Sequence, residues 1–332
     1  MLKTIGSTFP KSSQWYKDQI NLMNSIEKQI ESKFLSSSNL LINMTWFGPQ
    51  FDNNEYKKFC NYIATNTVDN LFLLASEDPC FFNRNETQEL FESSKASSLY
   101  LLGHFDSEYN FNFHSMVLPE YFVPYTQEQL LLQEPKYTFI NYNRKPRDHR
   151  TRLVEHLDNQ NLTQHGIVTL GDNRTLKETI QDIGEENQWW PDEWGIPHDI
   201  HSLGRLDIWQ NHFLSVVSET DYEDDLWTLI TEKTWKPIIG LRPFIINGQT
   251  AVYSFLKANG FRTFNQYWSH VNLETCDIDD IHTNICSVLS FLQTKNLKQM
   301  YLDMLPDLLY NKERFKEFSK EQEYKMENIF AN

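Results

Sequence analysis

Short runs of apolar residues along this chain alternate with stretches long enough for a helix. After a polar segment that predicts a helix near residues 12–34, LLINMTW (Leu40 to Trp46) reads as a buried strand, and a helix is expected near 53–66. LFLLAS (Leu71 to Ser76) repeats the strand signal. A helix near 86–94 follows, and then SLYLLGHF (Ser98 to Phe105) and FNFHSMVL (Phe111 to Leu118) read as two more strands. Parallel neighbours cannot be joined by a tight turn, so strands separated by helix-length segments are what a parallel sheet requires. The first part of the chain therefore reads as an α/β lobe.

Between Pro119 and Pro135 the pattern breaks into a Pro- and Gln-containing connection, and YTFINYN (Tyr137 to Asn143) opens a second alternating series. It continues with a helix near 146–158, the short strand GIVTL (Gly166 to Leu170), an irregular Trp-rich stretch at 187–210 and the strand FLSVVSE (Phe213 to Glu219). A helix near 231–240, the strand PFIIN (Pro243 to Asn247), a helix near 250–259 and the strand FRTF (Phe261 to Phe264) come next, and helices near 278–294 and 297–329 close the chain. The expected organisation is a first lobe over residues 1–134, a second over 135–300, and a helical segment at 301–332 that can pack back on the first lobe. No internal repeat or low-complexity tract stands out, so a solenoid is not supported.

Composition narrows the class. Hydrophobic residues at 40% and charged residues at 23% describe a chain able to bury a substantial core. A formal charge of −15 repels polyanions, so a nucleic-acid backbone is a disfavoured partner unless a local basic patch intervenes. Nine Trp exceed the needs of a simple core, which makes some of them candidates to stack on sugars or bases; core packing is the plainer account of any one. Cys60, Cys80, Cys276 and Cys286 are scattered without CxxC pairing, as suits a reducing compartment. The residues after Met1 lack the apolar centre of a signal peptide, and no run approaches about 18 apolar residues. A soluble protein of the cytoplasm is expected, the host's if the chain is viral. The sequons at Asn43 and Asn161 are then chance matches.

Two constellations carry candidate chemistry. In NRKPRDHRTR (Asn143 to Arg152) a strand end meets a turn, with Pro146 placed as the first helical residue. Arg144, Lys145, Arg147, Arg150 and Arg152 make this the most basic stretch of an acidic protein. Cations beside the positive end of a helix dipole are unfavourable unless an anion neutralises both, and a diphosphate held by helix amides and bidentate arginines does so. The competing account is a solvated helix face paired with acidic residues. The second constellation is Glu219, at a strand end, followed by LITEKTWKPIIGLRPFIING (Leu229 to Gly248), in which Thr231-Glu232-Lys233 opens a helix. Parallel sheets bind ligands beyond the carboxyl ends of their strands, so both belong on the functional edge. Glu232 suits a ribose diol and Lys233 a phosphate; a capped amphipathic helix with a Glu232–Lys236 pair is the plainer alternative.

ITEKTWKPIIGLRPFII (Ile230 to Ile246) resembles the donor-binding signature of the fucosyltransferase-like glycosyltransferases. It is also similar to a phage and bacterial group carrying TEKT-x-KP-x-x-x-x-x-PF and a later GF-x-TF-x-x-x-W, matched by Gly260, Phe261, Thr263, Phe264 and Trp268. NYNRKPRDHR is similar to the arginine-bearing turn of the same superfamily, and together the matches span roughly residues 137–270. The resemblance implies a GT-B architecture: two Rossmann-like lobes facing across a cleft, with a UDP- or GDP-linked sugar as donor substrate and no permanently bound cofactor or metal. By that carry-over Arg144, Arg147 or Arg150 contacts the diphosphate, Glu232 the ribose, Lys233 the phosphates, and Glu219 faces the sugar. Two features differ from the family pattern: the acidic stretch between Glu219 and Thr231 is longer, and Ser269-His270 follows Trp268 where relatives carry an acidic residue.

The first lobe is then expected to supply the acceptor site and the general base. His104 and Asp106, after the strand SLYLLG, are the preferred positions, with Glu77 and Asp78 as others of the same kind. His198 and His201, with Asp192 or Asp199, lack the spacing of a standard zinc site, and no metal is expected. The acceptor is a glycan or other hydroxyl, or a hydroxymethylated pyrimidine in DNA if the chain is viral, an option the net charge disfavours. Two other classes fit the same residues: a non-catalytic nucleotide-sugar or glycan-binding protein, and an interaction protein whose arginines only form a salt-bridged helix face.

Overall fold

The computed structural model describes residues 2–6, 24–43, 62–75, 92–103, 125–171, 203–274 and 278–328, apart from 25, 29, 35–36, 93–94, 145, 204, 221, 223–227 and 229. Most of the helices expected near 12–34, 53–66 and 86–94, the strand at 111–118, and the Trp-rich stretch up to residue 202 lie outside these. Two compact units are present, one comprising Met1–Met116, Asp225–Leu229 and Lys320–Asn332, the other Val117–Asp224 and Ile230–Ser319. The fold is mixed α/β with two small parallel sheets. Among the described residues no helix is long and apolar enough to cross a membrane.

The first unit holds four parallel strands in the order β1 (Leu2–Gly6), β2 (Asn39–Asn43), β3 (Asn70–Ala75) and β4 (Ser98–Gly103). Leu40, Leu41, Leu71 and Phe72 are buried, and the Phe34 ring meets Phe72 edge-on at 5.5 Å. Polar residues fasten the strand starts together. Asn70 Nδ2 donates to Asn39 Oδ1 at 2.9 Å, and the Ser38 N–H donates to the Asp69 carboxylate at 2.7 Å. β1 is absent from the sequence expectation: LKTIG is short and only partly apolar, and it becomes a strand by pairing along its whole length with β2.

The second unit is built on β5 (Tyr137–Asn141), β6 (Gly166–Val168), β7 (His212–Ser218) and β8 (Phe244–Asn247), all parallel, in the order β6-β5-β7-β8. All seven residues of β7 are buried, as a strand covered on both faces requires. From β5 the chain passes to β6 on one side and later to β7 on the other, so the sheet has a topological switch point between β5 and β7. Among the described residues its helices are α1 (Gln127–Leu130), α2 (Asp148–Asn159), α3 (Leu206–Trp209), α4 (Glu232–Ile239), α5 (Ala251–Ala258), α6 (Ile278–Leu292) and α7 (Leu297–Asn328), the last extending past Ser319.

Three of these helices end alike. Asn161 (φ 55°), Leu241 (φ 55°) and Gly260 (φ 81°) turn left-handed, and the following N–H returns to the carbonyl five residues back: Leu162 to Leu157, Arg242 to Pro237 and Phe261 to Leu256. At the third of these ends the chain departs from expectation. FRTF is not a strand; the backbone of Arg262 within it is satisfied by one side chain, Asn311, which accepts from Arg262 N–H at 2.8 Å and donates to Arg262 C=O at 2.8 Å. Phe261 and Phe264 turn into the core instead. Phe261, Phe315 and Phe318 surround Trp235 with ring centroids 5.4, 5.7 and 5.5 Å away. At the sheet's other rim the buried Arg242 donates to the carbonyls of Leu130, Leu241 and Trp209 at 2.6–2.7 Å, tying α1 and α3 to the start of β8.

Candidate functional site

Strand ends around the switch point are locked by short polar side chains. Asn141, the last residue of β5, donates to Val216 C=O (2.8 Å) and Ser218 Oγ (3.0 Å), crossing to β7. Asn143 Nδ2 donates to Asn141 Oδ1 and to Thr169 C=O (3.0 Å), and its own N–H donates to Thr169 Oγ1 (2.7 Å). Asn247, the last residue of β8, donates to Ser218 Oγ and to His149 C=O, and the His282 Nε2 lies 3.1 Å from its Oδ1. The turn that follows Asn143 is thereby held in place before α2 begins.

α2 starts later than the sequence suggests. Arg147, extended at φ −75° and ψ 156°, is its N-cap, so Pro146 precedes the helix instead of opening it. Arg147 makes no side-chain capping bond; its guanidinium instead donates to Thr220 C=O at 2.5 Å. Arg150, one turn on, is 3% exposed and donates to Glu219 C=O at 2.9 Å and Ser218 C=O at 3.4 Å. Arg152 and Asp148 approach to 3.9 Å on the exposed face, a contact of little energetic weight. Arg144 lies half-buried in the turn.

The second motif arrives at the same place from β7. Glu219 is completely buried, and each carboxylate oxygen accepts one backbone N–H and one hydroxyl. Oε1 takes Thr231 N–H (3.1 Å) and Thr234 Oγ1–H (2.6 Å), while Oε2 takes Thr220 N–H (3.1 Å) and Thr231 Oγ1–H (2.6 Å). Glu219, expected to face a sugar, has its carboxylate turned inward, where it clamps the start of α4 to the end of β7. Glu232 opens α4 and pairs with Lys233 Nζ at 2.8 Å; that ammonium also donates to Thr220 Oγ1 (3.1 Å) and Thr231 Oγ1 (3.2 Å). Arg147 and Lys233, distant in sequence, thus meet on one residue, Thr220. His104, Asp106, Glu77 and Asp78, and likewise His198, His201, Asp192 and Asp199, lie outside the described residues.

Burial sets the charge states. It pulls Arg150 down to about 10, with Arg147 adding to the effect, which leaves it a cation at neutral pH. Burial, helped by Arg150, pushes His149 down to about 4, so its ring is neutral. Among the described residues Arg144, Arg147, Arg150 and Lys233 stand with Asp148, Glu219 and Glu232 at the switch point, and the sequence runs on from Thr220 into the acidic residues Asp221, Glu223, Asp224 and Asp225. Sequence reasoning singles out the arginines of NRKPRDHR and passes over Asn143 and His149 inside the same motif, as well as Ser218 and Asn247. A small polar residue at each strand end is the available signal.

The sequence matches no family model and no curated protein.

Proposed function

We propose that this chain is a nucleotide-sugar-dependent glycosyltransferase of GT-B type whose second unit binds the donor at the switch point between β5 and β7. The observation that carries the reading is the meeting of Arg147 and Lys233 on Thr220, beside the uncapped amides of α2. Two cations and a helix N-terminus at the carboxyl edge of a parallel sheet form a setting for a diphosphate. In this reading Arg144, Arg147 and Lys233 neutralise the diphosphate as the bond to the anomeric carbon breaks, and Glu232 takes the ribose hydroxyls. Arg150 and Glu219 act as positioning residues. The new bond forms from an acceptor hydroxyl on a glycan, or on a modified pyrimidine of DNA, with its proton passing to a base in the first unit, Asp106 or His104. The setting proposed is the cytoplasm.

The test is incubation of the purified chain with a panel of UDP- and GDP-sugars, following sugar release and transfer to hydroxyl acceptors. Slow donor hydrolysis that Arg147→Ala and Lys233→Ala reduce at least tenfold supports the enzyme. Tight nucleotide binding without turnover on any acceptor makes the chain a binding module, and absence of both removes the nucleotide altogether.

A further inference from the structure

Two buried acceptor atoms of the polar network at the switch point have no hydrogen-bond partner among the described residues. Asn143 is wholly buried and its Nδ2 faces two oxygens, Asn141 Oδ1 and Thr169 C=O, which fixes the orientation of the amide. Its Oδ1, on the opposite side, has no hydrogen-bond partner among the described residues. His149 is 1% exposed, and its Nε2 lies 3.0 Å from Glu219 C=O. A carbonyl only accepts, so Nε2 carries the proton and Nδ1 of the neutral ring is a bare lone pair. Nδ1 too is buried with no partner among the described residues. Asn143 Oδ1 and His149 Nδ1 are both acceptors, and both belong to the motif that supplies the arginines. Phosphate oxygens at neutral pH are themselves acceptors and satisfy neither.

We propose that Asn143 Oδ1 and His149 Nδ1 receive neutral hydrogen-bond donors of the bound nucleotide sugar, its hydroxyl groups foremost, so that this pair reads the uncharged part of the ligand while the neighbouring cations hold its phosphates. The proposal rests on the nucleotide-sugar reading above. A site with buried acceptors discriminates strongly against a ligand that leaves them unpaired. It therefore predicts selection for ligands that carry hydroxyls beside the diphosphate.

Two substitutions separate this role from a structural one. His149→Asn keeps an acceptor near the Nδ1 position and gives up the Nε2 bond; His149→Gln keeps a donor for Glu219 C=O and gives up the acceptor. Titration calorimetry against pyrophosphate, UDP, GDP, UDP-glucose and GDP-mannose is expected to show pyrophosphate affinity unchanged in both. The best nucleotide ligand is expected to bind about tenfold more weakly to the Gln variant than to the Asn variant. In the unmodified protein the 15N resonance of His149 Nδ1 is expected to move when that nucleotide is added and to stay put with pyrophosphate. Movement already with UDP or GDP assigns the donor to the nucleoside; movement only with a sugar nucleotide assigns it to the transferred sugar. Nucleotide binding with an unmoved Nδ1 resonance, or a Gln variant that binds as well as the Asn variant, overturns this proposal alone. Failure of every probe to bind overturns the donor-site reading as well.

Discussion

Replacing Glu219 by Gln removes one charge and leaves the side-chain shape nearly intact, so it isolates the clamp between β7 and α4. Each carboxylate oxygen serves one hydroxyl, which can rotate, and one backbone N–H, which cannot. Whichever way the Gln amide turns, its NH2 group confronts either Thr220 N–H or Thr231 N–H. Stranding a buried donor costs about 1–3 kcal/mol, and the surviving bonds lose their charge assistance, worth roughly another 1 kcal/mol. Together these give a loss of about 3 kcal/mol. At a urea dependence of about 2 kcal/mol per molar, the unfolding midpoint of the second unit falls by about 1.5 M. The control is Asp148→Asn, whose side chain is 69% exposed and meets Arg152 at 3.9 Å, with an expected shift under about 0.5 M. Hydrogen exchange in the first turn of α4 should accelerate in the Glu219 variant only. A Glu219→Gln midpoint within about 0.5 M of the unmodified protein would show that the burial cost of the carboxylate cancels its bonds, and the clamp argument would fail.

Three further outcomes follow from the same geometry. His149, held near 4 in the folded chain against about 6.5 unfolded, binds its proton first in the unfolded state as pH falls. Its contribution is therefore complete above about pH 6.5 and lost towards pH 4, about 3 kcal/mol in all; urea midpoints at pH 7 and 4.5 should differ less in His149→Gln than in the unmodified protein, and equal differences would contradict the burial argument. A Cβ at Gly240 would sit 2.2 Å from the Trp209 ring, whose Nε1–H donates to Gly240 C=O, so Gly240→Ala should cost about 1–3 kcal/mol by thermal melting. Trp209→Phe in the same chain should relieve part of that cost, and strict additivity would count against the contact. Arg242→Met leaves the carbonyls of Leu130, Leu241 and Trp209 without their buried donor and should destabilise by roughly 3 kcal/mol with nucleotide affinity intact; loss of affinity at full stability would refute its assignment to the far rim.

The elements legible in the sequence are those whose signal is local. The runs at Tyr137, Phe213 and Phe244 form strands, and the helices near 146, 231, 250, 278 and 297 form with ends within two residues of expectation. α1 is absent from the expected elements although its signal is local too: Thr126 and Gln129 form a capping box, a spacing that the order of residues displays by itself. FRTF fails as a strand for a tertiary reason, since apolar residues three apart suit a turn once Asn311 satisfies the backbone of Arg262 between them. The candidate site divides in the same way. That Arg147 and Lys233 share one edge of the sheet follows from strand order and motif position. That Glu219 and Arg150 point inward does not, because the partners that turn them, Thr234 and the carbonyls of Ser218 and Glu219, are brought near only by the folded sheet.

The inward carboxylate of Glu219 also bears on how little the edge proposed to bind the donor must reorganise. With the first turn of α4 fastened to the strand beside it, the ammonium of Lys233 has its tether anchored before any ligand arrives, and much of the ordering entropy that an anion would otherwise extract at binding has been spent during folding.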